Sequence, residues 1–169
     1  YATAGRNGTH DARDYVDSAV WVWELAYEYL AYTRDFAVLD EKVGWLDATR
    51  TDTVQTHLER LFAYYLAKTN IGEHGLIKIR HGDWNDSVNR AGQEGRGESV
   101  MLTCQVVLAL RQMAGLVELR GRRGANAKLA KAHRAAADRF QAALRKHALN
   151  TKGYFDGVFT DAGQWVFSP

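Results

Sequence analysis

Asp83, Trp84, Asn85 and Asp86 follow one another directly, behind Gly82 and ahead of Ser87-Val88-Asn89. Two carboxyl groups, a large indole and an amide therefore share four positions. A carboxylic acid can pass a proton to a glycosidic oxygen, and an indole face can lie along a sugar ring. Cleavage of a sugar bond is thus one chemistry open to the segment. A solvated turn is the other, because Asp and Asn also cap helices and shape tight turns. So short a motif does not decide between them. Close behind it comes Gly95-Arg96-Gly97-Glu98-Ser99-Val100. Its glycines permit a close backbone approach, and an acid at a helix start complements the helix dipole. Glu98 accordingly reads as structural. Arg80, His81, Arg90 and Arg96 crowd the same stretch with positive charge, which suits a phosphate or simply stands in solvent.

The wider segment Gly72-Glu73-His74-Gly75-Leu76-Ile77-Lys78-Ile79-Arg80-His81-Gly82-Asp83-Trp84-Asn85-Asp86 resembles the catalytic segment of the inverting disaccharide phosphorylases of glycoside hydrolase family 94. That family includes cellobiose and chitobiose phosphorylases and the C-terminal part of cyclic β-1,2-glucan synthases. Residues 95–100 resemble its Gly-Lys-Gly-Glu-Ser-Val, and Val16-Asp17-Ser18-Ala19-Val20-Trp21 its Ser-Asp-Asp-x-x-Trp helix start. Gly153-Tyr154-Phe155-Asp156-Gly157 and Asp161-Ala162-Gly163 are similar to a strand pair placed after the same helices. The similarity runs from about residue 14 to the end. It implies Asp86 as general acid, with Trp84 along the sugar at the cleaved bond. Asp83 and Asp17 join Trp84 as substrate-binding residues, Asp83 with loop-shaping as its other role, and Asn85 holds the turn. Inorganic phosphate is the co-substrate, and no metal or organic cofactor is expected. The partners implied are a β-linked disaccharide or oligosaccharide and phosphate, and a homodimer is among the states allowed.

The chain departs from this pattern in places. Ser18 stands where the family carries the second Asp of its helix-start pair, and Ala12 where many members carry an arginine six residues earlier. Arg13 and Asp17 are substitutes at i,i+4 spacing, a spacing that also lets them pair with each other. Arg80 and His81 occupy positions where many members have glycine, so the shape of the sugar subsite should differ.

Composition sets bounds. Of the 169 residues, 46% are hydrophobic and 25% charged, ordinary for a soluble globular chain. A net charge of +2 gives no bulk reason for nucleic-acid or membrane binding. The single cysteine, Cys104, excludes an internal disulfide and a cysteine-rich zinc site, and its apolar run predicts a buried, inert thiol. No signal peptide, lipidation motif or membrane-length apolar run is read, and a cytoplasmic location is expected unless the parent is a membrane-bound glucan synthase.

The elements that must position the motif are helical. Residues 1–13 read as loop. Helices are predicted over about 14–33, 52–69, 97–119 and 126–147, with a short β-hairpin at 151–167. The first and third are apolar nearly all round, as helices buried on both sides are, whereas the fourth keeps a charged face. Inner and outer layers of paired helices favour a helical toroid over a simple bundle, which periodicity alone does not separate. The resemblance implies an all-α fold, a piece of an (α/α)6 toroid of the six-hairpin glycosidase type, with a short C-terminal hairpin. Residues 1–169 are then expected to be a fragment of one such catalytic domain, its N-terminal β-sandwich domain and later helices lying outside. Three functions are compatible: a phosphorylase, a hydrolase or transglycosylase on the same toroid, and a non-catalytic carbohydrate-binding fragment. Phosphate dependence separates the first two, and retained sugar binding without turnover marks the third.

Overall fold

The computed structural model describes residues 14–45, 49–121 and 124–167, with the side chains of Asp86 and Ala125 outside that description. The loop expected at 1–13, with Ala12 and Arg13, also lies outside the described residues. Four helices dominate: α1 (Ser18–Thr33), α2 (Val54–Leu66), α3 (Val100–Leu119) and α4 (Ala125–Ala143). Their ends follow local chemistry. The Thr53 hydroxyl accepts from the Thr56 amide at 3.2 Å and starts α2. Ser99 does the same for α3 through Leu102 at 3.0 Å. The chain leaves α1 at Arg34, which is left-handed at φ 59° and donates its amide to the Leu30 carbonyl.

The core lies where α1, α2 and α3 converge and where α4 lines α3. Trp23, Phe62, Tyr65, Leu102, Val106, Leu110, Met113 and Phe140 are buried there. Ala130, Ala136 and Ala137 present small side chains, which lets α4 approach α3 closely. Tyr65 pins α2 to the start of α1: its hydroxyl donates to the Val16 carbonyl at 2.7 Å and accepts from the Val20 amide at 3.0 Å. Trp23 packs edge-on against Phe62 and donates its indole N–H to Gln112 at 2.9 Å.

The fold is mostly helical but not all-α. β1 (Lys42–Gly44) and β2 (Thr51–Thr53) form an antiparallel pair ahead of α2. A second, antiparallel sheet runs in the order β3 (Ile77–Lys78), β4 (Glu98–Ser99), β5 (Val158–Phe159), β6 (Trp165–Val166). The expected C-terminal hairpin is β5–β6, but it continues into β3 and β4. Those two belong to the segments carrying the motifs, and strands of two residues leave no periodic trace.

Three expectations are corrected. The first helix is not buried on both sides: Ala19, Val20, Trp23 and Leu30 face the core, while Leu25 is 73% and Tyr32 88% exposed. An apolar face tells what a helix would bury, not which neighbours are at hand. Cys104 is exposed on α3, in a cleft shared with Val107, Leu144 and Phe155. Partial burial still pushes its pKa up, so the thiol stays protonated at neutral pH. Finally, α3 is long and apolar enough to cross a membrane by length and composition, although more than half of its most apolar stretch is buried inside the protein.

His133 on α4 is buried against Phe62, and neither ring nitrogen has a partner among the described residues. Burial lowers its pKa from the ordinary 6.5, opposed weakly by Glu59. The unfolded chain then takes up a proton that the folded chain refuses. Stability from this group is therefore complete above the unfolded pKa and is lost as pH falls through it toward the folded value. Replacing His133 with Leu should narrow the difference in melting temperature between about pH 7.5 and about pH 5.5. It should also spare the cost of an unpartnered buried polar group, about 1–3 kcal/mol. An unchanged pH dependence on thermal melting would show that His133 is not the titrating group.

Candidate active site

The loop from Arg80 to Asn89 is held between the start of α1 and the start of α3. Gly82 lies beside Tyr15 in a parallel bridge, and the Val16 amide donates to the Gly82 carbonyl at 3.2 Å. Gly82 has φ 154°, and a Cβ there would meet the Asn89 side chain. The residue is glycine because the turn and the close approach both demand it. Asp17, at the head of α1, is thereby brought to the same end of the molecule as Asp83.

Asp83 is 2% exposed. Its Oδ1 accepts from the Asn85 amide at 3.0 Å, and its Oδ2 accepts from the Ser99 hydroxyl at 2.8 Å. Burial raises its pKa, the two hydrogen bonds pull it back, and the charge of Asp17 pushes it up again. Its carboxylate is thus spent on the loop itself. Asn85 closes the next turn: its Oδ1 accepts from the Ser87 hydroxyl at 2.6 Å and from the Ser87 amide at 3.3 Å. Asp86 opens the single helical turn Asp86–Val88; its side chain lies outside the described residues.

Trp84 points the other way. It is 60% exposed, and its indole N–H donates to the Met101 sulfur on α3. With its polar edge anchored, the ring offers an apolar face to solvent. Asp17 is buried, and its Oδ2 accepts from the Trp21 indole N–H at 2.8 Å. Its Oδ1 has no partner among the described residues.

The basic residues around the loop are largely engaged. Arg80 is left-handed at φ 50°, a conformation a non-glycine residue enters at a cost of roughly 1–2 kcal/mol. It is held there by Asn70 Oδ1 at 2.5 Å and Asp14 at 3.3 Å. The φ explains why glycine suits this position. His81 accepts the Asp14 amide on Nδ1 at 3.2 Å. Arg96 pairs with Glu73 at 2.9 Å and lies over the Phe159 ring. Arg90 is exposed.

Glu98 has the structural role expected of it, by another route. It belongs to β4 rather than to the first turn of α3, and it has no exposed surface. It accepts from the backbone amides of His74 and Leu76, each at 3.1 Å, and meets His74 Nδ1 at 2.5 Å. A Cβ at Gly72 would collide with this carboxylate. Ser99, not Glu98, caps α3.

Asp161 belongs to the strand-pair motif, whose resemblance implies no role for its side chain. The structure gives it one. Its Oδ1 accepts from the Arg96 and Gly97 amides at 2.8 Å and its Oδ2 from the Glu94 amide at 2.8 Å, so the β5–β6 turn clamps the glycine loop ahead of β4. An Asp followed by Ala-Gly signals only a turn locally; its partners lie too far along the chain to be read.

Residues 2–168 match the family model of the glycosyl hydrolase 94 superfamily, catalytic domain. Among curated proteins, solabiose phosphorylase of Paenibacillus borealis is 39% identical over 106 residues, covering 63% of this chain and 13% of that protein. A 3-O-beta-D-glucopyranosyl-beta-D-glucuronide phosphorylase of the same organism is 32% identical over 107 residues, or 63% of this chain and 14% of its own length. Cellobionic acid phosphorylase of Neurospora crassa is 29% identical over 147 residues, covering 87% of this chain and 18% of that protein. The chain thus spans less than a fifth of the length of these relatives. Because the family model matches nearly all of this chain, the chain belongs to the glycosyl hydrolase 94 superfamily.

Proposed function

We propose that the protein to which this chain contributes cleaves a β-linked disaccharide or glucan with inorganic phosphate, with inversion, releasing a sugar 1-phosphate. The observation that carries the reading is the loop at 83–86, where an exposed, edge-anchored indole stands two residues before Asp86 on a buried carboxylate platform. The phosphorylases among its relatives support phosphate as the attacking group.

In this mechanism a phosphate oxygen attacks the anomeric carbon from the face opposite the glycosidic bond. The carbon–oxygen bond to the leaving sugar breaks as the new bond to phosphate forms. Asp86 gives its proton to the departing oxygen. Phosphate is already anionic at neutral pH, so no protein base is needed, and one carboxylic acid suffices. Asp86 must carry its proton until the sugar binds in order to act as the acid. Trp84 stacks on the sugar whose bond is broken, and the Asp17 carboxylate accepts from one of its hydroxyls. Asp83 is assigned to shaping the loop. The two-sided apolar character of α1 and α3 supports an (α/α)6 toroid as the setting, with further helices covering Leu25 and Tyr32.

Asp86→Asn in the full-length protein should lower turnover by roughly 10²–10⁴-fold, the usual worth of general acid catalysis. Sugar affinity should stay within a few-fold. Activated substrates, whose leaving groups need little protonation, should recover most of the rate. Near-normal turnover on ordinary glycosides would remove Asp86 from the role.

Trp84→Ala should weaken sugar binding roughly tenfold, about 1.4 kcal/mol. The indole is mostly exposed, so stability should change by only about 0.5 kcal/mol or less. Calorimetric titration with disaccharide and a thermal melt read the two effects. Intact sugar affinity beside a large loss of stability would make Trp84 a packing residue.

A further inference from the structure

We propose that Ser99 is a positioning residue for the acid-bearing loop, fixing Asp83, and through it the backbone leading into Asp86, against the first turn of α3. The proposal rests on the assignment of Asp86 as the acid. It starts from strand geometry. β4 has only two residues, and successive side chains in a strand face opposite sides. Glu98 faces the turn at 72–76, and Ser99 faces the loop at 83–86.

The Ser99 hydroxyl has one proton and spends it on Asp83 Oδ2 at 2.8 Å. It accepts from the Leu102 amide at 3.0 Å. The residue is fully buried, and a change of rotamer would break the helix cap and the carboxylate bond together. Asp83 in turn takes the Asn85 amide on its other oxygen, at 3.0 Å. The backbone of the residue directly before Asp86 is therefore set by a carboxylate that Ser99 holds in place.

A second tether reaches the same helix. Trp84 donates to Met101, two residues beyond Ser99. The two tethers have separable consequences. Ser99 and Asp83 orient the proton donor, which matters in the transition state. Met101 orients the indole, which contacts sugar in ground state and transition state alike. Loss of the first should fall on kcat and loss of the second on KM.

The test compares Ser99→Ala, Met101→Leu and Glu98→Gln in the full-length protein, with rates expressed per folded molecule. Misplacing a catalytic group by about 1 Å costs up to roughly 100-fold. Ser99→Ala should accordingly lower kcat by about 10- to 100-fold with KM within about threefold. Met101→Leu should raise KM and spare kcat. Glu98→Gln disturbs the same strand on its other side and should cost stability without lowering kcat. If Ser99→Ala does not fold, Ser99→Cys, a weaker donor, should show an intermediate kcat. Hydrogen exchange of the amides at 83–88, measured without substrate, should speed up in Ser99→Ala and not in Glu98→Gln. Unchanged exchange there would overturn the tether whatever the enzyme catalyses. Equal kcat losses in Ser99→Ala and Glu98→Gln would reduce Ser99 to a structural role. A wild-type protein without phosphate-dependent turnover would instead overturn the functional reading, and the exchange result would still decide the tether.

Discussion

A carboxylate removed from water must be given hydrogen-bond donors, and this fold is organised around two such groups. Glu98 takes its donors from the turn at 72–76, and Asp83 takes one from Ser99, the residue beside Glu98. One strand of two residues thus locks two loops that are distant in sequence to the head of α3. Remove either set of donors and a buried charge is stranded, at a cost of several kcal/mol when a charged group loses its partner. That penalty is what makes the loop geometry determinate. The glycine at 72 is a consequence of the same constraint, since a Cβ there would strike the Glu98 carboxylate.

The helices provide the rigid frame on which this local order acts. Tyr65 fixes α2 to the entry of α1, and Gly82 is bonded to that same entry. Ser99 and Met101 fix the loop to the head of α3. The candidate site therefore sits where two helix starts meet, with the β5–β6 turn bracing it through Asp161. Within the loop, roles divide by direction. Asp83 points inward and is buried, with both oxygens bonded to the protein, whereas Trp84 points outward and is mostly exposed.

Much of this was legible in the sequence, for reasons that can be named. The four helices show themselves because apolar residues recur at helical spacing over many turns, and α4 announces its wet side with Lys and Arg. The β5–β6 hairpin shows itself through its turn at Thr160-Asp161-Ala162-Gly163. β3 and β4 do not, because two residues are too few for an alternation to register. The β1–β2 pair, with Lys, Gly, Thr and Asp in its short strands, carries too little apolar pattern. At the site, the adjacency of Asp83, Trp84 and Asp86 could be read directly. The burial of Asp83 could not, because a solvated turn and a sealed one use the same letters. The clamp by Asp161 stayed hidden for another reason: its partners are more than sixty residues away.

If one acid and an attacking phosphate do the chemistry, the product's stereochemistry reports it directly. The decisive measurement is nuclear magnetic resonance of the products when the full-length protein acts on a β-linked disaccharide, with and without inorganic phosphate. Attack from the opposite face by phosphate predicts an α-configured sugar 1-phosphate, formed only when phosphate is present. A β-configured product, or free reducing sugar released at the same rate without phosphate, would contradict it.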